Sequence, residues 1–187
     1  MMLPLVNYGV KCMSMGFLVN PEDAVIWRGL MVMSAMQKLL RNVNWGELDA
    51  LVVDMPPGTG DTQLSIIQNI PVDGAVLVTT PQQVASADVI RGAKMFRDLQ
   101  VPILGLIQNM NLYKCRDCSA VHHLFGPDNG RILAKKLDVD FLADIPIYPE
   151  FSEASDKGVP VVVKDPDSEA AKIFLKLAKD IAKKADL

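Results

Sequence analysis

The sequence predicts an α/β fold built on a mostly parallel sheet, and three observations carry that expectation. Short apolar runs, Leu51-Val52-Val53, Gly74 to Thr79 and Pro102 to Ile107, alternate with stretches of helical periodicity, Thr62 to about Ile70 and roughly Ala85 to Leu99. The runs are continuously apolar, as strands buried on both faces are, and not alternating as half-exposed strands are. Each ends on polar residues, Asp54, Thr79-Thr80 and Gln108-Asn109, and right-handed strand–helix–strand crossovers bring such ends to one rim.

A chain of 187 residues, half of them hydrophobic, fits one domain over 1–187 with a substantial core. Its net charge of −3 gives no global basic field, so nucleic acid is not a favoured partner. The longest apolar stretches fall far short of the ~20 residues of a membrane span. Met1-Met2-Leu3-Pro4-Leu5-Val6 has neither the basic n-region nor the long apolar h-region of a secretory signal. Three cysteines, Cys12, Cys115 and Cys118, make no disulfide framework, which favours a reducing compartment. Cys12 lies in an apolar stretch and reads as a packing residue.

In chain order, Gly9 to Val19 reads as a strand that Asn20-Pro21-Glu22-Asp23 breaks. Leu30, Met33, Met36, Leu39 and Leu40 recur at helical spacing between about Val25 and Val43, with Trp27, Met31 and Met33 as packing residues. Asn42 to Glu47 turns the chain into the strand that ends at Asp54. In an open parallel sheet ligands bind beyond the carboxyl ends of the strands, so Asp54 stands where a nucleotide's metal ion would sit; a strand-ending cap is the alternative. Pro56-Pro57-Gly58-Thr59-Gly60 forbids helix and makes a tight loop, after which Asp61 and Thr62 offer N-cap chemistry.

Val89, Ala93, Phe96 and Leu99 form the buried stripe of the next helix. Asn109, at a strand end, can donate to and accept from an adenine edge, or simply close a turn. Further on, a helix over about Arg131 to Leu137 precedes a last strand over Val139 to Pro146, and Ser152 to Pro160 reads as a polar surface connection. Asp165-Pro166-Asp167-Ser168 starts a final helix. Its apolar stripe is Ala170, Phe174, Leu177, Ala178 and Ile181, and its basic face is Lys172, Lys176, Lys179, Lys183 and Lys184. Such a helix docks through its stripe or lies on a membrane, and docking with a solvated basic face is the reading adopted.

Cys115-Arg116-Asp117-Cys118 lies in a loop at about 110–126 that also holds His122 and His123. Two thiols at this spacing chelate a metal or cluster from one turn but do not complete a site, which typically takes four ligands. The histidines must join them, giving zinc, or a second chain must supply another pair. Adjacent strand residues point to opposite sides, so both histidines on one ion would require a loop. A redox-active pair normally opens a helix, and this one does not.

Asp54-Met55-Pro56-Pro57-Gly58-Thr59-Gly60-Asp61 resembles the switch II segment of the Mrp-type iron–sulfur scaffold ATPases, in particular their mitochondrial nucleotide-binding-protein-like branch. Asn7 to Val19, Trp27-Arg28-Gly29, the Cys115/Cys118 pair and Phe125-Gly126 are similar to further landmarks of that family. The resemblance implies a three-layer, mostly parallel sheet of the deviant Walker A P-loop NTPase type, lacking its first strand–P-loop–helix. It also implies a homodimer that shares one labile 4Fe–4S cluster between two Cys115/Cys118 pairs. The cluster would go to apo iron–sulfur proteins, respiratory complex I subunits among them, with transfer coupled to ATP and Mg²⁺.

On that likeness Asp54 organises Mg²⁺ and water, Asp61 belongs to the switch, and Asn109 and Pro146 line the nucleotide base. The implied compartment is the mitochondrial matrix, with the cytoplasm as alternative and no targeting segment in this chain. No Gly-x-x-x-x-Gly-Lys-Ser/Thr occurs in the 187 residues, so hydrolysis by this chain alone is expected to be absent or very weak. Without that loop's strand and helix, sheet edges and apolar faces are expected to be exposed. Two other readings stand beside the carrier: a partition or membrane-positioning ATPase relative, and a non-catalytic zinc-binding interaction module.

Overall fold

The computed structural model describes residues 1–20 and 29–187. The chain divides into two compact units, Met1–Pro71 and Val72–Leu187.

In the first unit a hairpin pairs β1 (Leu5–Asn7) with β2 (Val10–Cys12), Leu5 opposite Cys12. Its two-residue turn places Tyr8 at φ 49° and Gly9 at φ 78°. Positive φ at both positions is the type I′ geometry that matches strand twist, and glycine adopts it without a Cβ clash. The strand expected over Gly9 to Val19 is therefore only the second arm of a hairpin, followed by a 3-10 turn over Met15–Phe17 that the Ser14 hydroxyl caps. Cys12 is exposed, contrary to the packing role expected of it. Lys11 sends its ammonium to the carbonyls of Trp45 and Glu47, at 2.6 and 3.1 Å, tying the hairpin to the chain beyond α1 (Gly29–Arg41).

The α1 helix and α2 (Asp61–Asn69) pack together, and Ala35, Val43 and Ile66 supply the buried apolar side chains. Arg41 reaches Asn69 Oδ1 at 3.1 Å, and Asn69 in turn donates to Ser65 O at 2.6 Å. Trp27 and Arg28, read from the sequence as a packing residue and a family landmark, lie outside the described residues. Leu51-Val52-Val53 pairs with no strand among the described residues, and Val52 is 91% exposed. A β-branched run favours extended backbone, but a strand exists only where a neighbour completes its ladder, and here none does. Leu5, Val6, Val10, Phe17 and Leu18 are exposed as well, which agrees with the expected uncovered apolar faces.

The second unit holds the parallel sheet. β3 (Ala75–Thr79) and β6 (Phe141–Ile147) flank β4 (Ile103–Lys114), both parallel to it, and β5 (Val121–His122) runs antiparallel to the far end of β4. Successive residues of β4 serve opposite faces. Leu106 packs with Leu77, Ala93, Leu133, Ala134 and Leu137 under α3 (Gln83–Asp98) and α4 (Gly130–Lys136). Ile107 packs with Ile145 and Leu177 under α7 (Glu169–Lys184), joined by Phe151 of α5 (Pro149–Asp156). The result is helix, sheet, helix. Both crossovers, through α3 and α4, use one face, as a single hand of connection requires when the sheet grows outward from β3 to β4 to β6.

The α7 stripe is spent on this core. Leu177 is buried, and Ile173, Phe174 and Ile181 pack beside it, each burial worth roughly 1.5–3 kcal/mol for a fully covered side chain. Ser168 caps the helix by accepting from Ala171 N, and Lys184 reaches Asp140 at 2.5 Å. Docking, with a solvated basic face, is what the helix does. Ser152 to Pro160 lies at the surface as expected, with only Ala154 buried, but Ser152 to Asp156 is the end of helix α5, whose Pro149 is preset for helical φ, and α6 (Val161–Lys164) follows. Among the described residues no helix is long and apolar enough to cross a membrane.

Gly130 marks the tightest approach of α4 to the sheet. A Cβ there would lie 2.7 Å from Gln108 Oε1 and 2.8 Å from the Phe141 ring. Gln108 is fully buried and cannot yield. Gly130→Ala should therefore destabilise the fold by about 1–3 kcal/mol in urea unfolding. Gly92→Ala, mid-helix in α3 with nothing within 4 Å of the new carbon, should stabilise it by about 0.5–1 kcal/mol. Equal effects of the two substitutions would contradict this packing.

Candidate thiol hairpin and nucleotide rim

β4 does not stop at Asn109, as the sequence suggested, but runs on to Lys114. At Met110 the backbone turns to φ 57°, and the pairing register with β6 shifts between Asn109 and Tyr113. The first half of β4 belongs to the parallel sheet. Its second half leaves the carboxyl rim as one arm of a hairpin whose other arm is β5, with Tyr113 opposite His122 and Lys114 opposite Val121.

The thiols sit at the tip of this hairpin. Cys115 N donates to Ala120 O at 2.9 Å and Ser119 N to Cys115 O at 3.0 Å, with Ser119 at φ 59° closing the loop. Cys115 is half-buried and Cys118 exposed, both free. The backbone N–H of Cys118, then that of Asp117, then the Cys118 side chain hydrogen-bond Cys115 Sγ and hold its thiol below the ordinary cysteine range, against a smaller opposing effect of desolvation. Amide donors aimed at one sulfur favour its anion, the form that binds metal.

The histidines are turned to other work. The His122 ring stacks on Tyr113, centroids 6.5 Å apart, and His123 Nδ1 lies 3.2 Å from Asn111 O as its donor. Among the described residues no three His, Cys, Asp or Glu side chains converge on one metal position. Two free thiols stand together at the hairpin tip.

At the carboxyl rim itself, Asn109 pairs in register with Ile145, so the structure brings Asn109 beside Pro146. The register shift after Asn109 lets a proline, which has no amide to donate, stand in β6. Asn109 Oδ1 accepts from Met110 N at 2.9 Å, and its amide protons make no hydrogen bond among the described residues. Tyr148, just beyond, is raised above the usual phenol range by burial and then by the carboxylates of Glu169 and Glu150.

Asp54 and Asp61 belong to the first unit, where they bracket the Pro-Pro-Gly loop. Both are exposed, and neither carboxylate makes a hydrogen bond or ion pair among the described residues. Asp61 is the first residue of α2, not its cap. Gly60 holds the N-cap position with no side-chain bond, so the Asp61 charge acts on the helix dipole instead.

Sequence reading missed two glutamines. Gln63, 4% exposed, donates to the carbonyls of Pro56 and Pro57, both at 2.9 Å, and so fixes the loop between Asp54 and Asp61. Its signal was its place on the face of α2 shared with Ile66, where only apolar residues are expected. Gln108, 0% exposed, donates to Asp128 Oδ1 at 2.8 Å and Asp144 Oδ1 at 2.9 Å, joining β4, β6 and the entry to α4. Gln108 reads as the polar end of the apolar run, and only the continuation of β4 past it shows that it is interior.

Comparison with solved structures places the chain among P-loop NTPase folds. It aligns with a nucleotide-binding protein from Archaeoglobus fulgidus solved with ADP at a TM-score of 0.72 and 32% identity, over 92% of this chain and 66% of that one. It aligns with the cell division ATPase MinD of Pyrococcus furiosus at 0.57 and 26% identity, over 81% and 57%. A family model described as ParA, NUBPL iron-transfer P-loop NTPase, matches residues 1–182, and the chain belongs to that family.

Among its relatives, the iron-sulfur cluster transfer protein NUBPL of Mus musculus is 55% identical over 98% of this chain and 58% of its own length. The iron-sulfur protein required for NADH dehydrogenase, mitochondrial, of Arabidopsis thaliana is 50% identical over 97% and 58%. The iron-sulfur cluster carrier protein of Escherichia coli is 41% identical over 97% and 49%. The chain thus spans about half to three-fifths of the length of these curated relatives.

The amide hydrogen bonds to Cys115 Sγ set a chemical expectation. In the metal-free chain, alkylation of Cys115 by iodoacetamide, followed by peptide mass spectrometry, should rise at lower pH than that of an unstructured peptide cysteine. A profile coincident with the peptide's, or above it, would contradict the hairpin geometry.

Proposed function

We propose that this chain carries iron–sulfur clusters: it takes a labile 4Fe–4S cluster as cargo on Cys115 and Cys118 and surrenders it to apo-proteins. The observation that carries the reading is the thiol hairpin, a half-buried and an exposed cysteine at its tip with no third metal-ligating side chain converging on them among the described residues. A second copy completes the usual set of about four thiolates, so the cluster is shared in a homodimer. Incomplete ligation by either copy suits a carrier, because each thiolate pair can be replaced by an acceptor's thiolates in turn.

In the second unit, Asn109 and Pro146 at the carboxyl rim are the residues for a nucleotide base. In the first unit, Asp54 and Asp61 are the carboxylates that would hold Mg²⁺, which would supply charge neutralisation when bound. The Arabidopsis relative is named as required for NADH dehydrogenase and as mitochondrial, which supports acceptors in respiratory complex I and action in the mitochondrion, with the matrix as the compartment we propose. The α7 stripe, occupied by the chain's own core, gives a membrane-positioning role no support.

Anaerobic reconstitution with iron and sulfide tests the reading. The chain should bind about four irons per two chains with visible absorbance and a dimer's mass, and the Cys115→Ala/Cys118→Ala variant should lose both. One zinc per monomer, or a folded chain that takes no metal, would overturn it.

A further inference from the structure

The thiol hairpin has little to hold it in place. Its β5 arm contributes two residues, both exposed, and it joins the sheet through the positive-φ turn at Met110. The last register pair of the β4–β6 ladder is Tyr113 with Ile147. Just past the ends of both strands, Arg116 and Glu150 form an ion pair between their side chains. Arg116 lies between the two thiols. Glu150 lies in the first turn of α5, which is anchored in the core by Phe151, whose ring sits 5.4 Å from Phe174 and 5.3 Å from Tyr148. One end of the ion pair is therefore fixed and the other is a loop tip.

We propose that Arg116 and Glu150 are positioning residues that latch the thiol loop to α5, and that the closed latch slows the surrender of iron from Cys115 and Cys118. The inference about surrender rests on the carrier reading above; the latch itself does not. A loop already held in its ligating shape loses less freedom on binding metal, so the bound state is favoured and release needs the latch to open. Both partners are about half exposed, so the effect is that of a surface ion pair, about two- to fivefold, and it weakens with salt.

Two readouts on the full chain separate the parts. Arg116→Ala and Glu150→Ala should each speed hydrogen exchange at the Cys115 and Ser119 amides of the metal-free chain, and loss of reconstituted iron to a chelator, by about two- to fivefold. The swapped pair Arg116→Glu/Glu150→Arg should restore both rates. Raising salt from about 0.05 to 0.5 M should speed the parent chain but not the alanine variants. Unchanged exchange in the single variants, or no rescue by the swap, would overturn the latch. Altered exchange with unaltered iron loss would overturn its role in surrender. A chain that takes no cluster would defeat the carrier reading, while the exchange rates would still decide whether the latch exists.

Discussion

The parallel ladder between β4 and β6 is the constraint on which the second unit depends. It sets Leu106 and Ile107 on opposite faces and so creates both helix–sheet cores. It brings Asn109 beside Pro146 at the rim, and its final pair, Tyr113 with Ile147, sets the root from which the thiol hairpin rises. Gln108 shows how tightly the ladder is held. Its buried carboxamide serves Asp144 on the neighbouring strand and Asp128 at the entry to α4, and a buried amide left without such partners would cost about 1–3 kcal/mol.

Out at the hairpin the energetics invert. Few apolar side chains are covered there, and the shape depends on a handful of backbone hydrogen bonds, a stacked Tyr113–His122 pair and the Arg116–Glu150 contact. A rigid sheet that ends in a lightly held tip is what the proposed carrier role requires. The histidines, which sequence spacing made candidates for zinc, are engaged by an aromatic ring and a backbone carbonyl. His122 is the last residue of β5 and His123 lies just beyond it.

Much of this was legible in the residues. The helices α2, α3, α4 and α7 and the strands β3 and β6 fall within a few residues of where periodicity put them, and the Cys115/Cys118 spacing put two thiols in one turn. Misreadings cluster where a partner decides. Leu51-Val52-Val53 has the composition of a strand and no ladder; Gly9 to Val19 has the apolar content of one strand and becomes a hairpin and a turn; Cys12 looks like a core residue and is exposed. Gln63 and Gln108 are polar by type and buried by position.

The sequence by itself determined the class of fold, the helical stripes, the turn chemistry of the Pro-Pro-Gly loop and the pair of thiols, because each of these follows from neighbours within a few residues. Only the tertiary structure decided that β4 runs past Asn109, that two glutamines lock the loop and the strands, and that Arg116 meets Glu150. Those outcomes rest on pairing register and on burial. Both join residues distant along the chain, and neither is written in local composition.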